Sequence, residues 1–234
     1  MTSLKVLVGC EFSGVVRNAF LALGHDAWSC DLLPAEDGSN RHITGDLRDY
    51  LHEDWDLLAV FHPPCTRLCN SGVRWLHEPP KKRQPSYPAE YESWTREEKL
   101  EWLWQDLDRA AAFFSDCWNA DIPHVAVENP VMHPHAMKRI RNYQKPSCII
   151  HPWWFAHSDE DVNNEKKSTC FYLRNLPPLV KTGTMDGSTA RSSVHKASPG
   201  AERWKFRSRF FPGPAQAIAD QWGSYALNEM EIAA

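Results

Sequence analysis

The runs KVLVG at Lys5–Gly9, VVRNAFLAL at Val15–Leu23 and DAWSCDLL at Asp26–Leu33 decide the fold class. The first and last are apolar runs of strand length, which indicates buried strands. The middle run spaces its apolar residues as a helix does and stops at Gly24. A strand, a helix and a second strand in this order predict a right-handed βαβ unit with parallel strands.

The same alternation continues along the chain. We expect a third strand at Asp56–Phe61 (DLLAVF), a long helix at Arg96–Trp118, a strand at His124–Val127 (HVAV) and a last helix from about Pro214 to Trp222. This order predicts an α/β fold with a mostly parallel sheet and helices on both faces.

Length and composition predict one domain over residues 1–234. Apolar residues make up 42% and charged residues 24% of the chain, which is the balance of a folded globular protein. The net charge of −4 excludes a generally basic nucleic-acid coat, so any nucleic-acid site must be a local basic patch. No apolar run has the roughly 18–20 residues of a membrane span. The N-terminus also lacks a signal-peptide pattern, so we expect a cytoplasmic protein.

The cysteines point to a reducing compartment. They are seven in number and irregularly spaced, and Cys10, Cys30 and Cys148 lie in apolar, strand-like runs. An odd number in such positions favours reduced, buried thiols over a disulfide framework.

Polar residues follow each apolar run, at the edge where an open parallel sheet binds its ligands. In chain order these are Cys10-Glu11-Phe12-Ser13-Gly14, Asp31, Asp46, His62-Pro63-Pro64-Cys65 and Glu128-Asn129-Pro130. Asp31 lies 17 residues beyond Gly14, the spacing of an acid that binds the ribose hydroxyls of a nucleotide. The alternative is an acid that caps a helix.

Cys65 and Glu128 are candidates for chemistry. Two prolines before Cys65 stiffen the turn and would hold its thiol in place, as a nucleophile requires, although an inert turn cysteine fits the same pattern. Glu128 follows a wholly apolar run, where a partly desolvated carboxyl group keeps its proton for general-acid work. An ordinary capping acid is the alternative for Glu128.

Together, the motifs Pro63-Pro64-Cys65 and Glu128-Asn129-Pro130 resemble, in their order, those of the DNA cytosine-5 methyltransferase family. In that family a Pro-Cys motif supplies the nucleophile and a Glu-Asn motif holds the target base. The segment 207–215, with the helix after it, is similar to the family's last motif, which returns to the cofactor. About two-thirds of the chain can be placed on the family pattern, and the chain most resembles short, phage-type members.

The resemblance implies a Rossmann-like methyltransferase fold, S-adenosylmethionine as donor and DNA as partner, in a monomer encoded by a phage or prophage. Cys65 would add to carbon 6 of a flipped cytosine, and carbon 5 would take the methyl group. Glu128 would hold a proton at ring N3, and Asn129 would position the surrounding loops. The implied cofactor contacts are Phe12, Gly14, Asp31, Asp46 and Pro63.

Two loops complete the implied DNA interface. Residues 74–94 stand in place of the family's mobile catalytic loop and would close over DNA with Trp75, Tyr87, Tyr91 and Trp94. Residues 181–205 are a reduced recognition segment, so we expect low or very short sequence specificity. The implied DNA contacts, mostly to phosphates, are Arg74, Lys81, Lys82, Arg83, Arg139, Lys166, Lys167, Thr169 and Arg207. Lys166-Lys167 as a solvated turn is the alternative for that pair.

Arg209 suggests a second donor. The family's last motif usually has a small or amide residue three positions before the proline, where this chain has Arg209 ahead of Pro212. An arginine repels a sulfonium but binds a carboxylate in a bidentate manner. Carboxy-S-adenosylmethionine carries such a carboxylate, and its product would be 5-carboxymethylcytosine. The alternative is that Arg209 points outward to a phosphate.

Other interpretations stay open. His62, Cys65 and Cys69 suggest a zinc site, although no second ligand pair is evident. A zinc nucleobase deaminase requires H-x-E and P-C-x-x-C, and the chain has neither. A DNA-binding protein of the same fold without activity would still bind DNA after Cys65→Ala. A free nucleotide could also replace DNA as acceptor, because the recognition segment is short.

Overall fold

A computed structural model describes residues 2–198, 200 and 203–233, and its centre is a seven-stranded sheet. The strands are β1 Lys5–Gly9, β2 Asp26–Asp31, β3 His42–Thr44, β4 Leu57–Val60, β5 His124–Glu128, β6 Cys148–Ile150 and β7 Thr169–Arg174. The α-helices are α1 Val15–Ala22, α2 Arg96–Trp118, α3 Pro134–Met137, α4 Ser193–Lys196, α5 Arg203–Ser208 and α6 Pro212–Ala233. Short 3-10 helices occupy Leu47–Tyr50, Val73–Leu76, Ala89–Ser93 and Pro152–Phe155.

The sheet order is β3-β2-β1-β4-β5-β7-β6. The strands β3, β2, β1, β4 and β5 run parallel to one another. The strand β7 is antiparallel to both of its neighbours, β5 and β6. This arrangement is compatible with a Rossmann-like fold, and the predicted α/β class with a mostly parallel sheet is confirmed. The carboxyl ends of β1, β2, β4 and β5 therefore meet at one edge.

Two apolar layers cover the sheet, because alternate residues of each strand face opposite sides. Val6 and Val8 of β1 face the layer that holds α1 and α6, where Phe20 and Trp222 are fully buried. Leu7 faces the other layer, which is built mainly on α2. Burial on both sides explains why the central strands are uninterrupted apolar runs.

The loop after β1 is shaped by two glycines. A side chain at Gly9 would overlap Leu47, so this glycine lets the residue after Asp46 pack against the end of β1. Gly14 precedes α1 with φ of 72° and lies against the guanidinium group of Arg17, so both its conformation and its surroundings require glycine. The carboxylate of Glu11 caps α1 by accepting hydrogen bonds from the backbone N–H groups of Val16 and Arg17.

Most of the predicted elements lie where the sequence placed them. α2 has the predicted bounds, and it begins at a capping box in which Thr95 and Glu98 exchange hydrogen bonds. The last helix is longer than predicted, since it starts at Pro212 and continues past Trp222 to Ala233. Gly223 lies inside this helix and does not end it. Its missing side chain leaves room for the ring of His25.

The aromatic residues of the predicted catalytic loop at residues 74–94 pack against the core in this structure. Tyr87 and Tyr91 are 4% and 0% exposed, and Trp75 and Trp94 pack against the same core. The hydroxyl of Tyr91 donates to the carbonyl oxygen of Pro80 at 3.0 Å. These rings stabilise the α2 layer, so they are not free to stack on bases in this conformation.

The predicted recognition segment at residues 181–205 contains α4 and the start of α5. Its residues 199, 201 and 202 lie outside the described part of the chain. In the ranges 2–198 and 203–233, none of the helices has the length and apolar character needed to cross a membrane.

Candidate active site

A cavity of about 610 Å³ opens at the carboxyl edge of the sheet. We call it the strand-end cavity, and its walls are formed by Cys10 after β1, Asp31 at the end of β2, Asp46 and Leu47, His62 and Pro64 after β4, and Arg109 and Phe113 of α2. The fold thus brings together residues that are far apart in sequence but follow neighbouring parallel strands.

Asp31 and Asp46, two of the predicted cofactor residues, line this cavity. Burial raises the pKa of Asp31, and the backbone N–H of Leu33 opposes the rise by donating to its carboxylate. Asp46 caps the following 3-10 helix and forms an ion pair with Arg48 that lowers the pKa of Asp46. Of these two carboxylates, Asp46 is paired with an arginine, whereas Asp31 accepts a hydrogen bond from the backbone.

The structure does not bring Phe12, Gly14, Pro63 and Arg209, which were also predicted to contact the cofactor, into the cavity lining. Phe12 is half-buried, and Gly14 packs under the start of α1. Pro63 is buried, whereas its neighbour Pro64 is exposed and lines the cavity. The turn after β4 thus presents the second proline instead of the first.

Arg209 is not among the residues that line the cavity, and it is paired at the surface. Its Nη2 donates to both carboxylate oxygens of Glu36 at 2.6 Å, and its side chain is 56% exposed. A carboxylate partner already neutralises its charge. The geometry therefore gives no support to Arg209 as the group that binds a donor carboxylate.

Cys65 is half-buried beside the cavity. Burial raises the pKa of its thiol to about 12, and the carboxyl group of Glu128 adds to the rise. The guanidinium group of Arg207 acts in the opposite direction. The resting protein thus holds Cys65 as a thiol, and a thiolate needs added positive charge or the loss of the Glu128 charge.

Glu128 ends β5 and is buried. Burial raises its pKa to about 6, while the ammonium group of Lys167 and the backbone N–H of His62 oppose the rise. His62 Nδ1 lies 3.5 Å from the same carboxylate oxygen. Because burial lowers the pKa of His62 to about 3, this imidazole is neutral near pH 7.

Lys167 is the cation of the site. Its Nζ donates to the carbonyl oxygens of Arg207 at 2.9 Å and Arg209 at 3.3 Å. Burial lowers the pKa of Lys167 to about 8, and the charge of Glu128 opposes this shift. Lys167 therefore joins the segment before β7 to the end of α5 and the residue that follows it. It also interacts electrostatically with both Glu128 and Cys65.

Asn129 is buried with an unsatisfied side chain. Its exposure is 0%, and neither Oδ1 nor Nδ2 has a hydrogen-bond partner among the residues that the structure describes. A buried amide that makes no hydrogen bond costs free energy, and such groups mark functional positions more often than ordinary core positions. Its backbone N–H donates to the carbonyl oxygen of Cys170, which holds Asn129 beside β7.

Two residues at the strand ends have left-handed backbone conformations. Cys10 has φ of 55° and His62 has φ of 54°, which are unusual values for residues with side chains. Such conformations cost free energy and concentrate at functional sites. From the sequence, His62 is predicted only as a strand-end residue before the two prolines and as a possible zinc ligand.

The predicted DNA contacts fall into two groups. Lys167 and Thr169 lie inside the site, and Thr169 is buried at the start of β7. The other predicted contacts are exposed, namely Arg74, Lys81, Lys82, Arg83, Arg139, Lys166 and Arg207. Among these, Arg74 stacks on Trp75 at 4.1 Å and Arg139 forms an ion pair with Asp108 of α2.

All seven cysteines are free thiols, as predicted. Within the described ranges, no group of three or more His, Cys, Asp or Glu side chains is arranged to hold a metal ion. A comparison with protein-family models found no match, and a comparison with curated proteins found none either. Function must therefore be argued from the site itself.

Proposed function

We propose that this chain is a DNA cytosine-5 methyltransferase that uses S-adenosylmethionine and a covalent intermediate on Cys65. The observation that carries the proposal is the juxtaposition of Cys65, Glu128 and Lys167 beside a cavity lined by Asp31. A thiol, a buried acid and a cation are what addition to a pyrimidine ring requires. The sheet, compatible with a Rossmann-like fold, supports the same proposal.

The residues of the cavity fit the nucleoside part of the donor. Asp31 offers a carboxylate that accepts hydrogen bonds from ribose hydroxyls, and Leu47 and Phe113 offer apolar surface for a purine ring. The carboxylate of Asp46 suits an exocyclic amine. When bound there, S-adenosylmethionine supplies an electrophilic methyl group.

Cys65 would start the reaction by forming a bond from its sulfur to carbon 6 of a flipped cytosine. The electron pair of the C5–C6 double bond moves toward N3, which receives the proton held by Glu128. Carbon 5 becomes nucleophilic and takes the methyl group. Water takes the proton from carbon 5, and N3 returns its proton to Glu128. Cleavage of the bond between carbon 6 and sulfur then restores the aromatic ring, and the sulfur regains from solvent the proton that it released on attack.

The electrostatics of the site match these roles. A pKa of about 6 lets Glu128 share a proton with ring N3 near neutral pH. Burial is the main cause of the raised pKa of Cys65, and the charge of Glu128 is the second. A proton shared between Glu128 and the base reduces this second contribution, and the cations of Lys167 and Arg207 favour the thiolate. Base binding would therefore lower the pKa of Cys65.

Nucleoside mass spectrometry tests the proposal. Cytosine-containing DNA is incubated with the protein and S-adenosylmethionine, and a mass gain of one methyl group on cytosine is expected. Cys65→Ala should abolish the product, whereas Cys69→Ala, which removes a neighbouring half-buried thiol, should retain it. Absence of methylated cytosine with the unaltered protein would sink the proposal.

Two further arms sharpen the test. DNA containing 5-fluorocytosine should trap a covalent complex through Cys65, because fluorine cannot leave carbon 5 as the proton does. A reaction with carboxy-S-adenosylmethionine examines the carboxymethyl alternative, for which the pairing of Arg209 with Glu36 predicts no product.

A further inference from the structure

We propose that Arg67 and Arg109 form a subsite of the strand-end cavity for an anionic group, a carboxylate or a phosphate, of the bound molecule. Both arginines line the cavity, together with Asp106 of α2. This inference rests on the proposed function, because it takes the cavity as the place of the donor or nucleotide. It assigns a role to residues outside the cluster of Cys65, Glu128 and Lys167.

Arg67 is a buried cation with unused hydrogen-bonding capacity. Its side chain is 3% exposed, and its Nε donates to Oδ2 of Asp106 at 2.9 Å. Its Nη1 is buried and finds no hydrogen-bond acceptor in the part of the chain that the structure describes. Leaving a charged donor unpaired in the interior is costly, so an acceptor supplied by a ligand would be strongly favoured.

Arg109 doubles the positive charge at this position. Its Nη2 donates to the other oxygen of Asp106, Oδ1, at 3.2 Å. Two guanidinium groups thus share one carboxylate, which leaves a net charge of about +1 at one wall of the cavity. Arg109 is 55% exposed, so its guanidinium group can turn toward a ligand without unpacking the core. Arginine recognises carboxylates and phosphates through paired N–H donors.

The hydroxyl groups of Thr66 and Ser86 line the same cavity as these arginines. Asp31 lies on the other side, at the end of β2, which is separated from β4 by β1. Two strand spacings place the acidic and basic walls roughly 10 Å apart. A ligand with hydroxyl groups at one end and an anion at the other matches this polarity, and a nucleoside bearing a charged tail is such a molecule.

The aromatic residues around Arg67 explain why the cation persists without a ligand. Its guanidinium carbon lies 5.0 Å from the ring of Tyr87 and 5.9 Å from that of Trp102. Contacts of this kind partly offset the loss of water around the charge. They also hold the guanidinium group in one orientation, which lowers the entropic cost of binding an anion.

A pair of ligands that differ only in the tail tests the subsite. S-adenosylhomocysteine carries an amino-acid carboxylate, and 5′-methylthioadenosine is the same nucleoside without it. Calorimetry should show that the unaltered protein prefers S-adenosylhomocysteine by about tenfold, the value of one charge-assisted hydrogen bond. Arg109→Gln should reduce this preference to within about threefold. The matched control is Arg141→Gln, which breaks an ion pair with Asp116 of α2 outside the cavity and should leave the preference intact.

The variants give a different result if the anion bound at the subsite is a DNA phosphate instead of the donor's carboxylate. If Arg109→Gln leaves the nucleoside preference unchanged but weakens binding of a short cytosine-containing oligonucleotide about tenfold more than Arg141→Gln does, the subsite holds a phosphate. If Arg109→Gln changes neither the nucleoside preference nor the oligonucleotide affinity more than Arg141→Gln does, the subsite proposal is overturned even when DNA methylation is detected. If neither nucleoside binds the unaltered protein, the donor assignment fails, and the oligonucleotide arm alone decides the subsite. Arg67→Lys keeps the positive charge but loses the paired N–H donors of the guanidinium group. It should weaken binding of the same ligand, nucleoside or oligonucleotide, that Arg109→Gln weakens.

Discussion

Glu128 is a side chain on which burial and a neighbouring cation act in opposite directions. Its carboxyl group is 8% exposed at the end of β5, and burial dominates over Lys167 in setting its pKa. A protein that needed only a stable core would place an uncharged residue here. A carboxyl group at this position costs stability, and the proposed role of Glu128 in proton transfer would account for that cost.

Replacing Glu128 by Gln should therefore make folding stability less dependent on pH. The folded protein raises the pKa of Glu128 from 4.5 to about 6, so it binds the proton more tightly than the unfolded chain does. Stability from this group is fully present below pH 4.5 and is lost as the pH rises to about 6, by about 2 kcal/mol. Glutamine has no proton to lose, so Glu128→Gln should gain about 2 kcal/mol relative to the unaltered protein between pH 4.5 and 7.

Urea denaturation at pH 4.5, 5.5 and 7 measures this change in the free energy of unfolding. Lys167 stays charged throughout that range, because its pKa is about 8, and so does not add to the slope. Glu165→Gln is a matched control, since Glu165 is also buried. An equal pH response of Glu128→Gln and the unaltered protein would contradict the raised pKa.

Cys65 should react slowly with electrophiles in the free protein. At pH 8 a thiol with a pKa of about 12 is ionised about a thousandfold less than one with a pKa of 9.0, and the thiolate is the reacting form. The rate of iodoacetamide labelling, followed by mass spectrometry of the Cys65 peptide, should rise about tenfold per pH unit between pH 8 and 10. Arg207→Gln should lower it further, because Arg207 favours the thiolate. Labelling at the rate of free cysteine at pH 8 would exclude this electrostatic picture.

The connection between β4 and α2 is an element whose aromatic residues serve the core. Tyr91 hydrogen-bonds to Pro80, and its ring centroid lies 6.0 Å from that of Trp102 in α2, so it ties residues 80–91 to α2. Tyr91→Ala should lower the free energy of unfolding by about 3–5 kcal/mol. Tyr91→Phe, which loses only the hydrogen bond, should cost about 1 kcal/mol.

A variant that lacks the aromatic ring separates packing from DNA contact. If Tyr91 acts only in the core, Tyr91→Leu should bind DNA with unchanged affinity in a fluorescence titration under conditions in which this variant is folded. A large loss of affinity in this variant, with stability preserved, would restore the interpretation of residues 74–94 as a base-stacking loop.

Elements with local signals could be predicted from the sequence, whereas contacts between distant segments could not. The bounds of α2 follow from its periodicity and from Thr95, and the strands follow from their apolar runs. The meeting of Asp31, Cys65 and Glu128 then follows from parallel strand ends. In contrast, Arg209 pairs with Glu36, which is 173 residues away, and no local pattern encodes that pair. The place of Lys167 likewise depends on the segment after α5 returning to the site.

The whole molecule has a negative net charge, but three basic residues are adjacent in a connection that starts at the carboxyl edge of the sheet. The net charge is −4, yet Lys81, Lys82 and Arg83 are exposed in the β4–α2 connection. This connection leaves the carboxyl end of β4, on the same edge as Cys65. Long-range repulsion from DNA should therefore be overcome only when this edge faces the phosphates.

A pair of double variants tests whether this edge carries the DNA contact. Each lysine–phosphate contact contributes about 0.7–0.9 to the slope of log affinity against log salt, so Lys81→Ser with Lys82→Ser should reduce the slope by about 1.5. Lys5→Ser with Lys145→Ser removes the same charge at the opposite edge, because Lys5 begins β1 and Lys145 precedes β6. That control should shift the affinity slightly without changing the slope. Equal slopes for the two double variants would show that the edge bearing Cys65 does not bind DNA phosphates through these lysines.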